Sequence, residues 1–90
     1  MYKAKPNPIH GVISLYTVHA GQWLKIHSMP DGPLRSQFIR FGIHEGERAK
    51  CIERLPGGTV VIQKNRQQIA IGHSLAKQIM VVILSKEVSL

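Results

Sequence analysis

The side chains that could do covalent or proton-transfer chemistry in this chain are a single thiol, five imidazoles and five carboxylates. An enzyme needs a nucleophile held beside a base, or an acid and a base facing one pocket. Cys51 falls on the inward face of an alternating segment beside Ala49, where a free cysteine ordinarily packs as a small apolar residue. Glu45, Glu47 and Glu53 lie on or next to the surface of that segment, where carboxylates are solvated rather than paired for acid–base work. The histidines (His10, His19, His27, His44 and His73) show none of the H-x-H, H-x-x-H or H-x-x-x-H spacings with which one element grips a metal. Neither G-x-G-x-x-G nor G-x-x-x-x-G-K-[ST] is present, so a nucleotide phosphate has no glycine-rich cradle. These residues assign no catalytic group, no metal ligand and no cofactor.

The residues are better arranged for binding. Trp23, Lys25 and His27 occupy the outward positions of one alternating segment, and Arg48, Lys50 and Arg54 those of another. If the two segments pair as strands, the six side chains form a cationic strip with one aromatic. Such a strip suits an acidic protein face, and it also suits stacked bases and phosphates. An outward Trp can equally cover a barrel end or the N-terminal arm. The whole chain carries 12 Lys and Arg against 5 Asp and Glu, a formal charge of +7. A positive field of that size favours acidic partners and aids solubility.

Ninety residues with 43% hydrophobic content build one domain around one core. A lone cysteine forms no intrachain disulfide. The longest apolar run, Ile79 to Leu84, is far below the roughly 18 to 20 residues that span a bilayer. The basic start at Met1-Tyr2-Lys3 leads into Pro6 and Pro8 rather than an apolar signal core, so a cytoplasmic location is expected.

The elements that must position the strip are short. Residues 1–11, with Pro6, Pro8 and Gly11, read as an extended arm, residues 12–85 as the domain, and 86–90 as a tail. Val12 to Tyr16 suits a strand or a short helix equally. Gln22 to Met29 alternates with Leu24 and Ile26 inward. Pro33 is suited to the first position of a helix over 33–41, along which Leu34, Phe38 and Phe41 make an apolar stripe. Gly42 ends that helix in the left-handed conformation, with Ile43 folding back on Phe38. Glu47 to Leu55 is the next strand, and Pro56-Gly57-Gly58 turns the chain into the β-branched run Thr59 to Gln63. Asn65 permits a tight hairpin into Gln68 to Ile71. A helical turn over 73–78, with Leu75 and Ile79 on its inner side, precedes a last strand, Met80 to Leu84. Five strands on so short a chain leave edges exposed unless the sheet curls, so a mainly β, five-stranded SH3-like or OB-like barrel is expected.

The run Phe38-Ile39-Arg40-Phe41-Gly42-Ile43-His44-Glu45-Gly46, then Pro56-Gly57-Gly58, Ile69-Ala70-Ile71 and Leu75-Ala76-Lys77-Gln78-Ile79-Met80-Val81, resembles the FeoA family in order and spacing over roughly residues 15–84. The pattern departs from the family at Arg66, where glycine is usual, and at Gly72, where a basic residue is usual. The resemblance implies an SH3-like barrel, similar also to the C-terminal domain of DtxR-type repressors. It further implies no enzymatic activity, a family-level association with transition metals, and a cytoplasmic accessory role. The implied partner is FeoB, the membrane ferrous-iron transporter with a G-protein domain. A small basic barrel that binds nucleic acid is the alternative.

Overall fold

The computed structural model of the chain describes residues 11–84. Six strands form one antiparallel sheet: β1 (Val12–Ser14), β2 (Trp23–Ser28), β3 (Arg48–Arg54), β4 (Val60–Lys64), β5 (Gln67–Ile71) and β6 (Met80–Leu84), in the order β1-β6-β2-β3-β4-β5. Five strands were expected. The extra one comes from the segment that the sequence left undecided, which is a strand to Ser14 and a single 3-10 turn over Leu15–Thr17. Ser14 makes the change by accepting the Tyr16 backbone N–H on its hydroxyl at 3.1 Å, an N-cap that diverts the backbone from the ladder. The proposed arm and tail lie largely outside the described residues.

Alternation drives the sheet. Leu24 and Ile26 of β2, Ala49 and Cys51 of β3, Val60 and Ile62 of β4, Ile71 of β5 and Val81 of β6 are at most 1% exposed and meet in one core. Each large aliphatic side chain so buried contributes about 1.5–3 kcal/mol relative to leaving it in water. Among the described residues no ladder joins the edge strands β1 and β5. The second helix, α2 (His73–Gln78), packs on the 3-10 turn at that side, so the sheet is a nearly closed barrel with a helical turn in its seam. The Ser14 hydroxyl donates to the Ala76 carbonyl at 3.1 Å, and the Leu15 N–H to the Ile79 carbonyl at 2.8 Å. Leu15, Ala76 and Ile79 are thereby sealed into the core.

The first helix, α1 (Pro33–Arg40), stops as its sequence dictates. Gly42 takes φ +82, its N–H meets the Ile39 carbonyl at 2.9 Å, and the Ile43 N–H meets the Phe38 carbonyl at 2.8 Å. This is a Schellman closure, and it carries Ile43 into the core beside Phe38. The expected apolar stripe packs only through Phe38. Leu34 and Phe41 remain 46% and 45% exposed, and Phe38 is the one buried residue of α1.

Two irregularities decide where outward side chains go. The β2–β6 register shifts between Ile26 and Ser28, and the β3–β4 register between Cys51 and Glu53. His27 and Ile52 are therefore the residues without a ladder partner in those pairings. Bulges of this kind bend a strand and re-aim the side chains beyond them.

Candidate partner-binding site

The outward face of β2, β3 and β4 carries the candidate residues. Trp23 stands across the ladder from Lys50, and Lys50 in turn from Gln63; one row on, Lys25 stands across from Arg48. The Lys50 Nζ lies 5.8 Å from the centre of the Trp23 ring. A cation held over an indole at an exposed site is worth about 0.5–1 kcal/mol, enough to bias the orientation of both. Trp23 is still 44% exposed, so nearly half of one large aromatic surface is open to a partner.

Trp23, Arg48, Lys50, Ile52, Gln63 and Asn65 line an open groove of about 450 Å³. The floor is set by the sheet, and the far wall by the β4–β5 hairpin. Asn65 adopts φ +56 there, and the Gln63 side-chain amide donates to the Asn65 carbonyl at 3.0 Å. The groove thus offers apolar area from Trp23 and Ile52, two cations, and amide groups at one end.

Of the six residues expected in the strip, Trp23, Arg48 and Lys50 come together in this groove. Lys25 neighbours Arg48 on the same face, and His27 lies further along β2, exposed, at the bulge. Arg54 is set apart. The bulge at Ile52 turns it toward the 3-10 turn, where its guanidinium donates to the Val18 carbonyl at 3.1 Å and lies 5.1 Å from the centre of the Tyr16 ring. Gln63 and Asn65 were not expected in the strip, and Ile52, which alternation places on the same outward side as Arg48 and Lys50, was not counted in it. Asn65 had announced the hairpin, but nothing local shows that Gln63 falls opposite Lys50.

Two of the nearby acidic side chains, Glu45 and Glu47, are engaged elsewhere, while Glu53 of β3 is exposed and has no ion-pair partner among the described residues. Glu45 takes two bonds from the Arg35 guanidinium, at 2.7 and 2.8 Å, and Arg35 also donates to the Met29 carbonyl at 3.2 Å. The hydrogen bond from Arg35 holds the Glu45 carboxyl below its ordinary range, and the same bond raises the Arg35 guanidinium. Glu47 is shared between His44 at 2.9 Å and Lys64 at 3.2 Å. Among the described residues Lys25, Arg48 and Lys50 have no ion-pair partner. The cations of the face are available to an outside carboxylate.

Among the described residues covalent chemistry has no comparable site. Cys51 is fully buried, and burial pushes its thiol up, away from the thiolate. Among the described residues no three His, Cys, Asp or Glu side chains converge as a metal site. No helix among them is long and apolar enough to cross a membrane.

The fold and its surface define a small SH3-like barrel with an open cationic and aromatic face. The FeoA domain family model matches residues 13–83, and the chain belongs to the FeoA family, which is associated with ferrous iron uptake. It is similar to the crystal structure of an iron uptake regulatory protein, FeoA, with TM-score 0.71 and 26% identity over 81% of this chain and 99% of that one. It is also similar to a FeoA-like protein from Clostridium acetobutylicum, with TM-score 0.70 and 22% identity over 84% and 91% of the two chains. The manganese regulator SloR shares the fold at TM-score 0.69 and 16% identity, over 80% of this chain and 34% of SloR. No curated protein matches the chain.

Proposed function

We propose that this protein is a non-catalytic, cytoplasmic accessory of ferrous iron uptake that docks on the G-protein domain of the FeoB transporter through the outward face of β2 and β3. Trp23 inserts as the aromatic anchor, while Lys25, Arg48 and Lys50 meet acidic side chains around it and His27 lies at the rim. Membership of the FeoA family supports the process. The observation that carries the surface is the groove in which an exposed Trp23 lies beside Lys50 and Arg48, both without an acidic partner among the described residues. Aromatic and arginine side chains in such settings carry most of the energy of an interface, and surrounding charges steer the encounter.

A nucleic-acid site would track a strand with successive stacking rings. Trp23 is the single aromatic lining this groove, which favours the protein partner.

Calorimetry with the FeoB cytoplasmic domain tests the proposal. Arg48→Glu with Lys50→Glu is expected to weaken binding at least about tenfold, since each reversal replaces attraction by repulsion. Affinity that is unchanged by this pair of substitutions rejects the surface.

A further inference from the structure

A second cluster lies off the groove and shares no residue with it. Tyr16, on the 3-10 turn, is surrounded by three basic side chains from two other elements. Its ring centre lies 5.1 Å from the Arg54 guanidinium carbon of β3, 5.5 Å from the Lys77 Nζ of α2, and 4.7 Å from the centre of the His73 ring, tilted at 57°. Those two distances place the charges of Arg54 and Lys77 no more than roughly 11 Å apart, about one Debye length at 0.1 M salt. Among the described residues no carboxylate pairs with Arg54, Lys77 or His73. No ion pair among the described residues offsets these like charges.

The arrangement is held rather than incidental. The bulge at Ile52 aims Arg54, and its bond to the Val18 carbonyl fixes one edge of the guanidinium while its other N–H groups stay free to donate. Ser14 ties the turn that carries Tyr16 to α2 through the Ala76 carbonyl. The His73 ring is backed by Gly58: a Cβ there would come within 2.9 Å of the His73 Cδ2. Only a glycine lets the β3–β4 turn approach this closely. Tyr16, Arg54 and His73 are half-buried, while Lys77 is exposed.

We infer that this corner is a second docking surface, which receives the carboxylates of an acidic protein segment independently of the groove. Tyrosine and arginine are both among the residues enriched where interfaces concentrate their energy. The donors are long side chains on an open surface, a form that meets Asp and Glu side chains presented by a partner. A guanidinium pairs with a carboxylate through two parallel bonds, and Lys77 adds a point charge beside it. The corner lies roughly 13 Å from Lys50 along β3, at about 3.3 Å per residue, so one extended acidic partner can reach both surfaces.

The test is a two-dimensional NMR titration of the full chain with a hexaglutamate peptide, and separately with inorganic phosphate at matched ionic strength. Saturable shifts at Tyr16, His73 and Lys77 with the peptide are expected, retained in the Lys50→Glu variant and weakened roughly two- to fivefold by Lys77→Gln. Arg54→Gln should weaken them further, and because it also breaks the bond to Val18, Lys77→Gln is the substitution that decides if Arg54→Gln unfolds. Peptide shifts confined to Trp23 and Lys50, or absent altogether, overturn the inference. A response to phosphate without one to the peptide also overturns it, marking a site for small anions. Loss of FeoB binding in Arg48→Glu with Lys50→Glu bears only on the groove, so the two surfaces fail or stand separately.

Discussion

Lys50 faces Trp23 across the β2–β3 ladder, with its ammonium 5.8 Å from the indole centre. The contact does two things at once. It holds the ring against the sheet, and it leaves the lysine without a carboxylate, so that an acidic partner can recruit both groups together. Removing the ring should therefore harm binding far more than stability. Trp23→Ala is expected to lower the unfolding free energy measured in urea little, by about 1 kcal/mol or less, as for other exposed side chains. A fall of several kcal/mol would show that Trp23 is a structural cover instead.

Cys51 is expected to resist thiol reagents. The native protein should react slowly at neutral pH and rapidly in denaturant, because the side chain is fully buried and its thiol is raised by desolvation. Stoichiometric labelling within seconds in native buffer would contradict the packing of β3.

Gly42→Ala tests the end of α1. The position has φ +82, where a Cβ costs roughly 1–2 kcal/mol, and the bonds from Gly42 and Ile43 depend on it. Urea unfolding should show a destabilisation of that order. A neutral result would mean that the Schellman closure does not hold Ile43 in place.

The Arg35–Glu45 pair predicts an acid limb in the stability curve. Because the Glu45 carboxyl is held below its unfolded value by the Arg35 hydrogen bond, its contribution is present above the ordinary carboxylate range and is lost as pH falls through the lowered value. Arg35→Gln should flatten that limb, as read by thermal unfolding between pH 7 and pH 3. An identical profile in the variant would remove the pair from the account.

Much of the fold was legible because it rests on local devices. The helical turn and last strand fall where the alternation and spacing placed them, and Gly42 capped α1 as its neighbours required. What escaped depended on register. The bulge at Ile52 is invisible in the alternation of Arg48 to Arg54, yet it removes Arg54 from the strip and hands it to Tyr16. The groove's far wall escaped for the same reason, since Gln63 and Asn65 reach it only once β4 is paired with β3 in a particular register. Leu34 and Phe41 were misread because helical periodicity marks an apolar side without saying how much barrel surface lies beneath it.

Trp23 is the sole tryptophan, so its emission reports on the proposed contact without a label. In a titration with the FeoB cytoplasmic domain at low salt, a saturable blue shift is predicted, one that fades as salt rises and is lost in Arg48→Glu with Lys50→Glu. Binding that proceeds to saturation while the Trp23 emission stays unchanged would contradict docking through this face.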